Sequence, residues 1–184
     1  MIERHGAMRA ATVAMALLLA AQGVAVQAVD LEPTWAQGWG RSAEASGLSV
    51  AWRQGDVRSL TGQAQAVVCN PPYFPAGRGP ASPDPLKRAA RTEGDATLAD
   101  FLAQALAVLQ PGGWAVFVLP AERVGEVAEA VGNRLREVVQ VGARRSVVRL
   151  GEPGPCERHL LSEDHPRIVA WVRAARRGRV RSSE

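Results

Sequence analysis

The stretch from residue 65 to residue 74 constrains the fold of this chain more than any other. Its first part, residues 66–69, is an uninterrupted apolar run and predicts a buried strand. The strand must end at Asn70, because the two prolines that follow have no N–H group with which to continue a ladder or a helix. An aromatic pair comes directly after the prolines. In open α/β sheets ligands bind at the carboxyl ends of the strands, so this stretch predicts a ligand site.

These residues are suited to holding a planar amino group. The side-chain oxygen of Asn70 and the carbonyl oxygen of Pro71 can accept both of its protons, and the rigid Pro72 helps to hold them in place. Tyr73 can stack on the ring that carries the amine. Because both protons are accepted, the nitrogen lone pair becomes more available for attack on an electrophile, and positioning can carry the step without a general base. The alternative is a simple Pro-Pro turn in which Tyr73 only packs.

The sequence Asn70-Pro71-Pro72-Tyr73 resembles the catalytic motif of S-adenosylmethionine-dependent methyltransferases that modify exocyclic amines of adenine or side-chain amides of glutamine. With Phe74 it is most similar to the bacterial tRNA (adenine-N6) methyltransferase family. The resemblance implies that Asn70 and Pro71 hold the amine, that Tyr73 stacks on the base, and that Phe74 forms a wall. It also implies S-adenosylmethionine as cofactor, with Asn70 beside it, and a target base turned out of its stack. A DNA adenine or a protein glutamine would use the same four motif residues.

Two acidic residues follow two further predicted strands. A helix over residues 10–22 precedes a strand over residues 24–29 that ends at Asp30, as in half of a nucleotide-binding βαβ unit. A third strand over residues 48–54 is followed by Asp56. In the resemblance, Asp30 receives the ribose hydroxyls of the cofactor and Asp56 accepts from its adenine amino group. The alternative for both is an ordinary turn residue at the end of a strand.

The residues ahead of the first predicted helix depart from this resemblance. A first strand and a glycine-rich loop would be expected there, but residues 1–9 contain one glycine, Gly6, followed closely by the bulky Arg9. We therefore expect a truncated domain in which residues 1–9 are a remnant of the loop and Gly6 is its cofactor-binding residue. The apolar stretch over residues 10–21 also allows a secretory signal, with residues 1–28 removed.

A long loop is predicted directly after the motif, from residue 75 to residue 95. It is too long for a plain connection, which indicates a functional or a disordered segment. Its basic residues include Arg88 and Arg91, which we expect to hold phosphates of the substrate. Arg91-Thr92-Glu93 resembles the family's Arg-His-Glu signature, with Thr in place of His. A flexible, solvated loop is the alternative.

The rest of the chain alternates between helical and strand patterns. A helix is predicted from Leu98 to Leu109, with Thr97 or Asp95 as its cap and Pro111-Gly112-Gly113 at its end. The other predicted elements are a helix over residues 33–46, a strand over 114–120, a helix over 121–135, β-rich pieces over 138–150, a loop over 151–166, a strand over 168–172 and a basic tail over 173–184. Late strands that follow one another without a helix predict an antiparallel hairpin at the sheet edge.

The chain has 184 residues, 47% of them hydrophobic, which suffices for one domain over residues 1–184. Its net charge of +4 and its isoelectric point of about 10.0 are compatible with RNA as a partner, although an arginine-rich composition of genomic origin is the alternative.

The two cysteines lack metal-ligand spacing, so we predict no metal site and no disulfide framework. Cys69 is expected in the core. We expect a cytoplasmic protein without membrane association.

Together these patterns predict an α/β fold with a mostly parallel Rossmann-like methyltransferase sheet, helices on both faces and antiparallel C-terminal edge strands. The first strand and the glycine loop of this fold are expected to be largely missing. The predicted activity is methyl transfer from S-adenosylmethionine to an exocyclic amino nitrogen, with adenine N6 of tRNA as the leading acceptor. Phe74 and the basic loop favour a nucleic acid over a glutamine side chain. Two other hypotheses stay open: a non-catalytic RNA-binding domain that has lost cofactor binding, and an exported α/β domain.

Overall fold

A computed structural model describes residues 11–31, 45–78 and 92–162, together with Pro166. Its helices are α1 (Ala11–Ala20), α2 (Leu98–Val108) and α3 (Val124–Val131). Its strands are β1 (Gln27–Asp30), β2 (Ala51–Gln54), β3 (Ala64–Cys69), β4 (Leu109–Pro120), β5 (Leu135–Val141), β6 (Arg145–Leu150) and β7 (Glu157–Leu161). Short 3-10 turns cover Val57–Ser59, Ala121–Arg123 and Gly132–Arg134. The α/β class predicted from the sequence is confirmed.

The first sheet is the parallel pair of β1 and β2. The chain leaves α1 through a turn that ends at Gly23, whose positive φ of 77° favours glycine. Ala16 of α1 and Ala28 of β1 are buried against each other in a small apolar cluster. The predicted helix is therefore confirmed, and the predicted strand over residues 24–29 is confirmed with a shift towards Asp30.

The second sheet has five strands in the order β3-β4-β6-β5-β7. The pairs β3 with β4 and β5 with β7 are parallel, whereas β6 is antiparallel to both of its neighbours. Strands β3, β4, β5 and β7 therefore share one direction, and we call the side of the sheet where they end its C-terminal end. The C-terminal end holds Asn70, the 3-10 turn after β4 and the hairpin turn between β5 and β6. The geometry brings residues that are distant in sequence to one place.

The main core lies between this second sheet and helices α2 and α3. Leu102 of α2, Phe117 of β4 and Val127 of α3 are almost completely buried. Helix α2 begins with a capping box, in which Thr97 accepts from the backbone N–H of Asp100 and Asp100 accepts from the backbone N–H of Thr97. Of the two predicted caps, Thr97 is the one that the chain uses.

The end of α2 differs from the prediction. The helix ends at Val108 and β4 begins at Leu109, so Pro111-Gly112-Gly113 belongs to the strand and not to a helix end. The pairing register of β3 with β4 shifts between Ala64 and Ala66, because the opposite residues of β4 form a bulge. Gly112 has a φ of 73°, which is why glycine is needed inside this bulge.

The predicted helix over residues 121–135 is shorter than expected. Helix α3 spans Val124–Val131 and ends at Gly132, which has φ of 54° and ψ of −130°. Leu135, which continues the helical spacing in the sequence, is instead the buried first residue of β5. The end of α3 could not be predicted from the apolar spacing, because it depends on the backbone freedom of one glycine.

Two alanine substitutions test this helix end. Gly132→Ala is expected to lower the free energy of unfolding by about 2 kcal/mol, because alanine is strained at that backbone conformation. Gly125→Ala in the same helix is the control, since Gly125 has no atom within 4 Å of its Cβ position and no positive φ. It should raise the free energy of unfolding by about 0.5 kcal/mol. Urea denaturation measures both, and equal effects would contradict the assignment.

A strand lies inside the stretch that the sequence predicted as a loop. β7 pairs in parallel with β5, with Leu161 opposite Val141, and is one of the two edge strands of the second sheet among the described residues, the other being β3. β5 and β6 form an antiparallel hairpin that covers the β-rich stretch over residues 138–150 and lies inside the sheet. The predicted edge hairpin that includes the strand over residues 168–172 stays a prediction, because that strand lies outside the described residues. Most residues of β7 are exposed, so no apolar alternation marked it in the sequence.

Some predicted elements lie outside the described residues. They are nearly all of the helix over residues 33–46, the strand over residues 168–172, the loop remnant over residues 1–9 and the basic tail. None of the helices described above has both the length and the apolar character that crossing a bilayer requires.

Candidate active site

Asn70 lies where the sequence predicted it, directly after the carboxyl end of β3. Its side-chain oxygen Oδ1 is buried and accepts no hydrogen bond from any residue that the structure describes. Pro71 beside it is buried, whereas Pro72 and Tyr73 are partly exposed. A buried polar atom without a partner costs about 1–3 kcal/mol, so such atoms are rare in folded proteins. An amide oxygen in this position is suited to accept a hydrogen bond from a ligand.

The chain returns to the motif after the loop that follows it. Thr92 forms a parallel β-bridge with Phe74, and the N–H group of Glu93 donates to the carbonyl oxygen of Phe74 over 2.8 Å. The end of the Arg-Thr-Glu sequence therefore lies beside the motif. Arg88 and Arg91 lie outside the described residues, and their predicted contact with substrate phosphates stays a prediction.

An arginine contacts the tyrosine of the motif. Nη1 of Arg145, the first residue of β6, donates to Oη of Tyr73 over 2.7 Å. The Cζ atom of Arg145 lies 5.3 Å from the centroid of the Tyr73 ring. Arg144 and Arg145 are both exposed. Arg145 was not among the site residues predicted from the sequence, where it lies within the β-rich stretch over residues 138–150.

A second arginine contacts the backbone of the motif. Arg123 is 4% exposed, and its Nη1 atom donates to the carbonyl oxygen of Pro72 over 3.2 Å. Its Nη2 atom pairs with Glu93 at 2.7 Å and with Glu126 at 2.6 Å. Burial alone would lower the pKa of Arg123, but its hydrogen bonds with Glu126 and Glu93 outweigh burial and raise that pKa. Arg123 therefore stays charged beside the motif, and nothing in the local sequence indicated this contact.

The two acidic strand ends lie close to each other. The N–H group of Gly55, the residue before Asp56, donates to the carbonyl oxygen of Asp30 over 2.9 Å. The Asp56 carboxylate caps a 3-10 turn and pairs with the guanidinium of Arg58 at 2.7 Å. The side-chain hydrogen bond from Arg58 holds the pKa of Asp56 below its usual value, so Asp56 is ionised at neutral pH. The predicted contacts of Asp30 and Asp56 with a cofactor stay predictions.

The remaining candidate residues are a cysteine and a glycine. Burial raises the pKa of the Cys69 thiol to about 12, and Cys69 packs against the main core. A neutral buried thiol is a packing residue and not a nucleophile. Gly6 lies outside the described residues. In the parts of the chain that the structure describes, no three His, Cys, Asp or Glu side chains are grouped to hold a metal ion.

Comparison with known proteins gives structural similarities. No protein-family model matches the chain, and a search of curated proteins finds no significant match. A predicted O-methyltransferase from Agrobacterium tumefaciens is 17% identical, with a TM-score of 0.61, over 94% of this chain and 85% of that chain. A protein described as a class I S-adenosylmethionine-dependent methyltransferase from Listeria monocytogenes is 18% identical, with a TM-score of 0.60, over 86% of this chain. TrmN from Thermus thermophilus is 26% identical, with a TM-score of 0.55, over 74% of this chain.

These similarities show that the chain has the fold of class I S-adenosylmethionine-dependent methyltransferases, as the sequence predicted. The chain spans 57% of the length of the Listeria protein and 40% of the length of TrmN. In α/β folds of this kind, ligands bind at the carboxyl ends of the parallel strands. Asn70, Arg123 and Arg145 lie at that end of the second sheet, so the fold and the local geometry indicate the same location for a site.

Proposed function

We propose that this chain transfers a methyl group from S-adenosylmethionine to an exocyclic amino nitrogen, with adenine N6 of tRNA as the acceptor. The observation that carries the proposal is the Oδ1 atom of Asn70, a buried acceptor without a partner in the described part of the chain. The methyltransferase fold supports the same activity by analogy.

An amino group supplies the hydrogen bond that Asn70 lacks. Its two protons go to Oδ1 of Asn70 and to the carbonyl oxygen of Pro71, and both acceptors are held by a backbone that the prolines restrict. The amine thereby enters the site with its lone pair directed away from both acceptors. When bound, S-adenosylmethionine supplies an electrophilic methyl group. The contribution of the chain itself is the position of the nucleophile, which can account for a large share of a rate enhancement.

The residues at the ends of β1 and β2 suit the cofactor chemically. Carboxylates accept hydrogen bonds from hydroxyl and amino groups, so Asp30 would hold the ribose and Asp56 the adenine amino group. The ion pair between Asp56 and Arg58 does not prevent this, because the Arg58 side chain is 46% exposed and water screens the pair. Gly6 would contribute a backbone contact.

The surroundings of Tyr73 favour a nucleic acid over a glutamine side chain as the acceptor. A flat base can stack on an aromatic ring, and the Arg145 guanidinium at that ring adds a positive charge suited to a phosphate or to the base itself. Arg144 beside it is exposed and adds a second charge. A glutamine side chain would use neither the stacking surface nor these charges.

This assignment predicts a specific effect of Arg145→Gln. The KM for tRNA is expected to rise about tenfold. The slope of log KM against log salt concentration should decrease by about one unit, because one phosphate contact is lost. Arg149→Gln is the matched control, because Arg149 is on the same strand, is exposed, and pairs with Glu137 at 3.1 Å. Steady-state kinetics at several salt concentrations measure both. Equal changes in the two variants would mean that overall charge matters and the position of Arg145 does not.

A second candidate function is RNA binding without catalysis. The Asp56 carboxylate is engaged by both the backbone and the side chain of Arg58, which is the observation that favours it. In that case Arg58 occupies the place of the cofactor's adenine amino group, and the Asn-Pro-Pro-Tyr motif serves only to bind a base.

Calorimetric titration with S-adenosylmethionine distinguishes the two candidates. Methyl transfer requires binding, and we expect a dissociation constant in the micromolar range. Absence of binding at millimolar cofactor would overturn the proposed activity for this chain, and tRNA binding without cofactor binding would support the second candidate. The same titration with S-adenosylhomocysteine tests whether the site accepts the product. Transfer of a radiolabelled methyl group to tRNA, DNA or protein then identifies the class of acceptor.

A further inference from the structure

We propose that Arg123, held by Glu93, is a positioning residue that fixes the direction of the Pro72 carbonyl and thereby the place of Tyr73 relative to Asn70. The inference rests on the proposed function, because the group that it positions is the ring proposed to stack on the substrate. Neither Arg123 nor Glu93 has a role in the proposed function.

The contacts form a chain across three segments. Arg123, which directly precedes α3, is 4% exposed and donates from Nη1 to the Pro72 carbonyl over 3.2 Å. The same guanidinium donates from Nη2 to Oε1 of Glu93 over 2.7 Å, and the Glu93 side chain is 7% exposed. Oε1 of Glu93 also accepts from the N–H group of Leu98 over 2.9 Å, at the start of α2. The motif is thus tied to the first turns of both core helices.

Between the Cα atoms of Asn70 and Tyr73, the backbone has one torsion that the prolines leave open. The φ angles of Pro71 and Pro72 are fixed by their rings. The ψ angles of Asn70 and Pro71 are restricted because each of these residues precedes a proline. The ψ angle of Pro72 has no such restriction, and it sets both the direction of the Pro72 carbonyl and the exit of the chain towards Tyr73. Arg123 binds that carbonyl, so it holds the one torsion that the prolines do not.

The form of the contact favours positioning over simple packing. Burial of a charged pair is costly, and apolar residues of similar volume often stabilise a core as well or better. A guanidinium differs from them because its planar fork presents several donors in fixed directions. Here two of these donors serve the motif carbonyl and a buried carboxylate at once. Arg123 also donates from Nε and Nη2 to the Glu126 carboxylate. The Glu126 side chain is half-exposed and does not contact the motif.

Arg123→Lys tests the proposal, because lysine keeps the charge and loses the fork. We expect kcat to fall about tenfold or more while the KM for S-adenosylmethionine stays within about twofold. Arg134→Lys is the matched control. Arg134 donates from Nε to the Gly151 carbonyl over 3.1 Å, lies just before β5 and is partly buried. It is the same substitution at another backbone carbonyl, and its kcat should be unchanged.

A second readout does not depend on activity. Tyr73 is the only tyrosine of the chain, so incorporation of 3-fluorotyrosine gives one 19F resonance that reports on the motif. Arg123→Lys should shift or broaden this resonance, and Arg134→Lys should leave it in place. If the unsubstituted protein transfers no methyl group, the proposed function fails, and the 19F comparison still decides whether Arg123 positions Tyr73.

An unchanged 19F resonance together with a kcat within about threefold of the unsubstituted protein would overturn the proposal. Glu93→Gln replaces the test if Arg123→Lys does not fold, since glutamine can still accept from Leu98 and from Arg123. It should shift the 19F resonance in the same direction and lower kcat by a smaller factor. No shift in Glu93→Gln would likewise overturn the proposal.

Discussion

Replacement of Asn70 by alanine is expected to lower kcat for methyl transfer by on the order of 10²–10³-fold, the size of effect seen when one positioned hydrogen-bonding group is lost. The protein should stay folded. Oδ1 of Asn70 is buried and unpaired in the described part of the chain, so its removal takes away an unfavourable group. We therefore expect the free energy of unfolding to stay the same or to rise by about 1 kcal/mol. Loss of activity without loss of stability separates a functional residue from a structural one.

Two measurements check the Asn70→Ala prediction, single-turnover transfer of a labelled methyl group and urea denaturation. Asn133→Ala is the control, because Asn133 is exposed in the turn before β5 and its side chain makes no hydrogen bond to any residue that the structure describes. Its activity should be unchanged. Transfer by Asn70→Ala at the unsubstituted rate would refute the role of Asn70. A loss of several kcal/mol in stability would mean that Asn70 supports the fold instead.

Replacement of Arg123 by methionine is expected to lower the free energy of unfolding by about 3–5 kcal/mol. The reason is Glu93, which is 7% exposed and would keep a buried charge without its partner. Glu126→Gln removes the other carboxylate of Arg123, but Glu126 is 49% exposed, so water can replace the contact. It should cost less than about 1 kcal/mol. Urea denaturation of both variants tests the difference.

The double variant Arg123→Met, Glu93→Gln isolates the cause of this loss. If the uncompensated Glu93 charge dominates, neutralising it should recover part of the stability, and the two effects will not add. Additive losses would show that the Glu93 charge is not the cause, and that Arg123 contributes through packing or through its contacts with the Pro72 carbonyl and Glu126.

The position of the Asn-Pro-Pro-Tyr motif at the end of β3 could be predicted because its signals are local. Proline has no backbone N–H group, so β3 had to end at Asn70, and the aromatic Tyr73 follows within the same turn. The start of α2 was predictable for the same reason, since Thr97 and Asp100 cap it within one turn. In both places the interaction that decides the structure joins residues that are neighbours in sequence.

The contacts around the motif could not be predicted because they join distant parts of the chain. Arg123 is 51 residues from Pro72, and Arg145 is 72 residues from Tyr73. Only the order of the strands places the end of β4 next to the end of β3, and the start of β6 on the far side of β4. The same holds for β7, whose exposed residues carry no apolar pattern and which is defined by its pairing with β5. These features depend on the sheet and not on any local preference.

Asp56 is a case in which a local contact was overlooked. Asp56 caps the 3-10 turn over Val57–Ser59, and this turn brings the Arg58 guanidinium back onto the Asp56 carboxylate. From the sequence, Asp56 was predicted either to contact the cofactor or to be a turn residue at the end of a strand, and neither interpretation included Arg58. The structure adds a protein partner for the same oxygens, and the cofactor titration will show whether a ligand can share them.

The position of the transferred methyl group decides whether the Asn70 site methylates an exocyclic amine. Unmodified tRNA is incubated with the protein and with S-adenosylmethionine that carries a deuterated methyl group, and the nucleosides are then analysed by mass spectrometry. We expect the label on N6 of adenosine in the presence of the unsubstituted protein, and its absence with Asn70→Ala. A label on a ring nitrogen, a carbon or a ribose oxygen, or equal labelling by Asn70→Ala, would contradict amine methylation at Asn70.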